Sequence, residues 1–443
     1  MDRPIRDLVN LIDPASQQLQ GLATEEAERL LLSSDPRALF ALSGSFALLA
    51  RAGATVRLAR SLDRPMRYFL AKQEAGPLLV VADRIDAIQR CLTEAGYGDQ
   101  FHPSYTRMVP AHHVTTLRLV GCPDPNPHHE RFVAPIDEPL PADLDALGER
   151  YVGALLAEVH DWLDGQSPSE PIGVLFSGGI DSGSVLLALY HAVLARGESA
   201  ARLKAFTLRV DGGGSDADQA RTMLRQLDLE LFGEVFDVPS DAIDVEAAVA
   251  TIEDYKPLDV ECAAVNLALL AAVRERYPDW RLLADGDGGD ENLKDYPIEA
   301  NPELTIRSVV NNPMLYQEGW GVDAIKHSLT YSGGYGRACV RTWAPAARFG
   351  FRGFSPYTRP RVVAVAAAMP FAELSGGSEE QLYALKGEIV RRGLAHHTGL
   401  DLPVFPKRRF QEGAVGEEAY GRLFAGDEAR YRRIFQGLFA GAR

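Results

Sequence analysis

Cysteine is scarce in this sequence. The 443 residues contain only Cys91, Cys122, Cys262 and Cys339, far apart and with no CxxC pair, which excludes a disulfide scaffold and a zinc ribbon. No apolar run approaches the ~18 residues a transmembrane helix needs, and the start has no hydrophobic leader. Positive charge is in deficit as well. The 46 Lys and Arg face 61 Asp and Glu, a formal net charge of −15, which opposes loose binding to nucleic acid or to an acidic membrane. These absences describe a protein of the reducing cytoplasm with no nucleic-acid or membrane partner.

Apolar material is plentiful. Hydrophobic residues make up 46% of the 443, and this length exceeds what one core usually organises, so two domains are expected. Between Leu39 and Ile88, period-2 runs at Ser45–Leu49, Ala54–Leu58, Met66–Leu70 and Leu78–Ala82 are punctuated by Gly53, Asp63-Arg64-Pro65 and Gly76-Pro77. That pattern predicts an antiparallel sheet with flanking helices. Prolines at 123, 125, 127, 135, 139 and 141 make Gly121–Pro141 a boundary, giving domains over 1–135 and 142–443. Apolar residues from Leu144 to Trp162 recur at helical spacing and predict a helix over 142–164. Strands at Ile172–Phe176, Leu203–Leu208, Glu234–Val238 and Leu282–Ala284 then alternate with helices over 181–196, 216–230 and 263–276. The alternation predicts an α/β domain whose parallel sheet binds its ligand at the carboxyl ends of the strands. Beyond Asn301 the pattern is mostly helical.

Ser177-Gly178-Gly179-Ile180-Asp181-Ser182 lies between an apolar strand and an apolar helix. The glycines let the backbone approach an anion, and the helix directs its free N–H groups and positive dipole end at the same place. Ser177 and Ser182 add hydroxyl donors. Asp181 would repel a phosphate unless a cation lies between them, which makes it a candidate ligand of Mg2+ riding with the phosphates. No GxxxxGK[ST] occurs, so the loop is not a Walker A motif. After the strand at Leu282–Ala284, Asp285, Asp287, Asp290 and Glu291 crowd into seven residues with three glycines. Four mutually repelling carboxylates point to one bound cation. Lys407, within Leu402–Gly413, is a flexible point cation suited to phosphate charge. The pairs His112-His113, His128-His129 and His396-His397 lack ligand-like surroundings and are not read as a metal site.

The first loop resembles the PP-loop of the ATP pyrophosphatases, which cleave ATP between its α and β phosphates and activate a substrate oxygen as its adenylate. The second is similar to the Gly-Glu-Gly-Ser-Asp-Glu stretch of asparagine synthetases. Lys407-Arg408-Arg409-Phe410-Gln411-Glu412-Gly413 is similar to their Lys-x-x-Phe-x-x-Gly stretch, and Lys386 matches their lysine-led helix less specifically. In order from Ser45 to Gly413, the chain resembles the asparagine synthetase and β-lactam synthetase family. The resemblance implies a degenerate Ntn-hydrolase-like αβ sandwich followed by a PP-loop α/β nucleotide-binding domain with a helical C-terminal part. It also implies ATP and Mg2+ as cofactors. The implied nucleotide-binding residues are Phe176, Ser177, Gly178, Gly179, Asp181, Ser182, Thr207, Leu208 and Gly286, with Asp181 and Asp290 on the metal. Lys407 and Asp287 are the implied catalytic residues, and Lys256 and Cys262 the implied substrate contacts. Departures from the family are plain: Asp2 stands where the glutaminase domain carries its cysteine, Asn292–Tyr296 replaces a Gly-Gly-Tyr, and Arg352 replaces a glutamate of β-lactam synthetases. The activity implied is AMP-forming ligation of a small-molecule or peptide carboxylate to an amine that no internal glutaminase supplies, in a chain that could form a homodimer. Two alternatives stay open, a PP-loop sulfurtransferase in which Cys262 carries sulfur and a nucleotide-binding pseudoenzyme.

Overall fold

The computed structural model describes the chain except residues 1–6, 34, 74–76, 119–126, 296–297, 301–303, 313–338, 407–409, 425–427 and 441–443. The described residues form two compact units. One is drawn from Met1–Ala134 and Arg432–Arg443, the other from Pro135–Leu315 and Val340–Tyr431.

The first unit packs two four-stranded sheets against each other. One has the order β1 (Asp7–Asn10), β7 (Leu78–Ala82), β6 (Arg67–Ala71), β8 (Arg107–Met108); the other runs β10 (His128–Arg131), β9 (His113–Arg118), β5 (Thr55–Arg60), β4 (Ala47–Ala52). A short ribbon pairs β2 (Gln18–Gln20) with β3 (Ser43–Ser45). Strand periodicity explains the layers. Leu79 and Val81 of β7 face Val56 and Leu58 of β5 in a shared core, while Leu78, Val80 and Ala82 face Ile88 and Leu92 of helix α2 (Ile85–Glu94) on the outside. Helix α1 (Thr24–Leu31) packs on β4.

This corrects the single antiparallel sheet that the pattern suggests. Strands β4 and β5 pair in one sheet and β6 and β7 in the other, and β1 joins β7 in parallel. The crossing lies at Arg60–Arg67, around the Asp63-Arg64-Pro65 turn. Arg60, inaccessible to solvent, donates from Nε to Val109 O at 2.6 Å and from Nη1 to the carbonyls of Ser61, Leu62 and Arg64 at 3.2, 3.3 and 2.9 Å. A guanidinium tolerates burial where its donors find acceptors, and here the corner's own backbone supplies them. His128–Arg131, inside the proline-rich stretch, also departs from the expected linker by forming edge strand β10 on β9.

The second unit alternates strands and helices. Helix α3 (Leu144–Asp164) starts at Asp143, whose side chain accepts from Ala146 N at 2.8 Å. There follow β11 (Ile172–Leu175), α4 (Ile180–Ala195), β12 (Leu203–Val210), α5 (Asp216–Gln226), β13 (Gly233–Val238), α6 (Val245–Ile252), α7 (Pro257–Arg276), β14 (Leu282–Ala284) and β15 (Arg352–Phe354). The strands pair in parallel in the order β13-β12-β11-β14-β15. Every residue of β11 and β14 is buried, as a sheet covered on both faces requires. The chain leaves β11 for β12 and β13 on one side and returns to β14 on the other. Strand order therefore reverses between β11 and β14, and in open α/β sheets the crevice at such a point takes the ligand. The helix Glu379–Thr398 packs on α3 and α4.

Candidate active site

The reversal sets two loops side by side, Phe176–Ser182 after β11 and Asp285–Gly289 after β14. The first is braced by its own hydroxyls. Thr207 of β12 donates its Oγ1 to Phe176 O at 2.6 Å, Gly179 N donates to Ser177 Oγ, and Ser177 N donates to Ser182 Oγ, both at 3.3 Å. Gly178 has φ +74°, and a Cβ there would stand 2.6 Å from Ala220 N of α5. Left-handed backbone and close packing both require glycine. Helix α4 then begins, and the N–H groups of its first turn have no intrahelical acceptors and carry the positive end of the dipole.

Asp181, in that first turn, lies against the acidic loop. A Cβ on Gly289 would stand 2.1 Å from Asp181 Oδ1, and one on Gly286 would stand 2.8 Å from the Asp181 carbonyl carbon. Lys386, from the helix Glu379–Thr398, reaches between the loops. Its Nζ donates to Asp181 Oδ2 at 2.5 Å and to Asp290 Oδ1, with Asp295 Oδ2 at 3.2 Å. Burial would lower the pKa of this ammonium, yet the three carboxylates hold it well above the ordinary lysine value. Asp181 and Asp290 thus meet at one cation position, and in this state the cation is an ammonium. Among the described residues no group of three or more His, Cys, Asp or Glu is arranged to hold a metal alone. Two carboxylates around a cation-sized position suit a Mg2+ that arrives with phosphates, which supply further oxygens.

The acidic loop's four carboxylates do not share one cation, contrary to the expectation from their crowding. Asp285, 3% exposed, accepts from Asp287 N at 2.9 Å and from Ser355 Oγ at 2.6 Å. Glu291 pairs with Arg341 Nη1 at 3.2 Å, and the Nε of the same guanidinium lies 3.4 Å from Asp259 Oδ1 of α7. Asp290 turns to Lys386. Asp287 buries its Oδ2 with no hydrogen-bond partner among the described residues. Burial pushes its carboxyl up to about 6, against the lowering pull of Arg341.

Cys262 of α7 lies close enough to Asp287, Asp259 and Arg341 to feel their charges, but burial dominates and pushes its thiol up to about 12. Its Sγ donates to Gln411 Oε1 at 3.3 Å. Gln411 is 1% exposed, and its Nε2 has no partner among the described residues. Lys256 stands at the N-cap of α7, with its backbone N–H on Asp254 Oδ1 at 3.3 Å. Leu208 lies inside β12 at 1% exposure, two residues before the strand ends. Lys407 lies outside the described residues. The segment after it is seated by Ser215 N, which donates to Gly413 O at 2.8 Å.

Sequence reasoning gave Lys386 little weight and missed Asp295, Arg341 and Gln411. A signal for Lys386 exists. It stands in the buried stripe of Leu382, Leu385, Ile389 and Val390, where a lysine needs a partner. Arg341 and Gln411 carry no comparable sign.

Residues 167–331 match the family model for asparagine synthase, a stretch that contains both loops and ends before Lys386 and Lys407. No curated protein matches the chain. No helix among the described residues is long and apolar enough to cross a membrane. Over 167–331, 165 of the 443 residues, the chain is similar to asparagine synthase, a family of ATP-dependent ligases.

Proposed function

We propose that the protein adenylates a substrate carboxylate and joins the activated acyl group to an amine. The observation that supports this most is the meeting of Asp181 and Asp290 on one cation at the strand reversal, with buried Asp287 on the same loop. ATP lies with its phosphates on the Phe176–Ser182 loop. Asp181 and Asp290 would hold a Mg2+, which would supply positive charge against the phosphates. A carboxylate oxygen of the substrate attacks the α-phosphorus, the bond from that phosphorus to the α–β bridging oxygen breaks, and pyrophosphate leaves with its charge met by Lys407. The amine nitrogen then bonds to the acyl carbon, AMP leaves, and the nitrogen's proton passes to Asp287. The amine is free ammonia, a separate small molecule, or a group within the carboxylate substrate.

Cys262 lends no support to sulfur transfer, because a buried thiol held near 12 is not a thiolate at neutral pH. Pyrophosphate and AMP release, followed with Mg2+ and a panel of carboxylates, tests the proposal. Release that depends on one carboxylate class and falls at least ~100-fold in Asp181→Asn and Asp290→Asn supports it. Release with none of the panel points to a nucleotide-binding protein without the reaction.

A further inference from the structure

Lys386 occupies two carboxylate oxygens that a metal at the same position would compete for. Its ammonium is hydrogen-bonded to Asp181 Oδ2 and Asp290 Oδ1, the two carboxylates assigned above to Mg2+. An ammonium and a divalent ion set between the same two carboxylates repel each other, and the double charge doubles that repulsion. A metal bound there therefore favours withdrawal of the ammonium. The lysine backbone is not free to move, because Leu385 and Ile389 bury the same helix face, whereas its four-carbon stem can swing. The carboxylates are the open side of the cluster. Lys386 is 4% exposed, while the Asp181 and Asp290 side chains are 23% and 32% exposed. Incoming groups therefore arrive over the carboxylates, with the lysine beneath.

Charge decides what can displace it. A divalent ion arriving alone would take two of the ammonium's three carboxylates and leave it only Asp295, at 3.2 Å, a cost of the kind that makes breaking a buried ion pair expensive. A divalent ion arriving with nucleotide phosphates brings new acceptors to the neighbouring loop.

We propose that Lys386 is an exchangeable counter-ion of the nucleotide site. It holds the cation position between Asp181 and Asp290 until a divalent ion and a polyphosphate arrive together, and it then transfers its hydrogen bonds to the phosphates. Free Mg2+ is thereby excluded, and the nucleotide-free domain keeps its two loops joined without metal. The inference rests on the reading of Asp181 and Asp290 as metal ligands.

Thermal unfolding of the full chain tests it, in chelator, in Mg2+ alone, and in Mg2+ with a non-hydrolysable ATP analogue. The wild type is expected to ignore Mg2+ alone and to be stabilised by the pair. Lys386→Met, which keeps length and removes charge, should melt lower in chelator and gain about 2–4 °C or more from Mg2+ alone. Asp290→Asn/Lys386→Met, with one carboxylate fewer, should recover part of the lost midpoint and ignore Mg2+ alone. If Lys386→Met does not fold, recovery of folding in that double variant supports the same charge balance, and failure to recover counts against it. A wild type stabilised by Mg2+ alone as far as Lys386→Met overturns the exchange, as does a folded Lys386→Met indifferent to Mg2+. A wild type that ignores the Mg2+–analogue pair overturns the metal-site reading and the exchange with it.

Discussion

Asp287 is set apart from its acidic neighbours by burial. Its carboxyl, ordinarily near 3.8, is pushed up to about 6, so the folded chain holds a proton that the unfolded chain releases between these values. Stability therefore falls as pH rises from about 4 to about 6, and the full cost is present above 6. Asp287→Asn removes the titration. It should match the wild type near pH 4 and exceed it above pH 6 by on the order of 2–3 kcal/mol, since one pKa unit is about 1.4 kcal/mol. Urea denaturation at the two pH values reads the difference, and equal stability at both would falsify the assignment. Activity runs the other way. Accepting a proton requires the ionised form, so amide formation should rise through about pH 6, and Asp287→Asn should lose it by ~10²-fold or more while a single-turnover burst of pyrophosphate remains. Cys262→Ser keeps a donor toward Gln411 Oε1 and should hold product formation within about twofold, because the thiol is packed and protonated. Loss of product with the burst intact would instead favour sulfur transfer. Single residues were unevenly legible. Glycines and carboxylates in a short loop announce an anion and cation site, but crowding in sequence says nothing of direction, and Asp285, Asp287, Asp290 and Glu291 point to four different environments.

Elements were legible where burial is uniform. Strands β11, β12 and β14 read as apolar runs because the sheet is covered on both faces. Strand β15 escaped notice, being three residues with a central glycine. The start of α7 was misplaced by six residues because Asp259 and Glu261 in its first turns look like loop; both are buried, held by Arg341 and by Tyr420, whose Oη donates to Glu261 Oε2 at 2.5 Å. The short helix Phe410–Val415 shows how an element can be fixed by a missing side chain. A Cβ on Gly413 would stand 1.8 Å from Asp216 Oδ1 at the start of α5. Gly413→Ala therefore forces the buried Asp216 carboxylate to turn aside or this helix to shift on its seat at Ser215. Pyrophosphate release should fall at least ~10-fold with the far-UV spectrum unchanged, and Asp216→Ala in the same chain should restore part of it by clearing the space. A Gly413→Ala variant with normal release would separate the seat from the chemistry.

At the scale of the whole molecule, alternation of strands and helices was enough to predict the parallel sheet, at whose carboxyl ends the two candidate loops lie, because chain order and the right-handed crossover leave few arrangements. The first unit was less legible, since period-2 patterning tells which face of a strand is buried and not which strand it pairs with. What separates its two sheets is a corner built on charge. Arg60, Arg64 and Arg67 are each at most 2% exposed, and three backbone carbonyls of the crossing, with that of Val109, take the Arg60 guanidinium. An apolar replacement fills the volume and abandons those carbonyls in a dry interior, each at about 1–3 kcal/mol. Arg60→Leu should accordingly destabilise the protein by on the order of 3–5 kcal/mol, the range for breaking a buried charged network. Arg60→Lys should recover only part, because one point cation can replace Nη1 toward the carbonyls of Ser61, Leu62 and Arg64 but cannot also serve Val109 O, which Nε takes. Chemical denaturation followed by circular dichroism decides it. A loss under ~1 kcal/mol in Arg60→Leu, or full rescue by lysine, would mean that the corner is held by its apolar packing and that the buried guanidinium is incidental to the crossing between sheets.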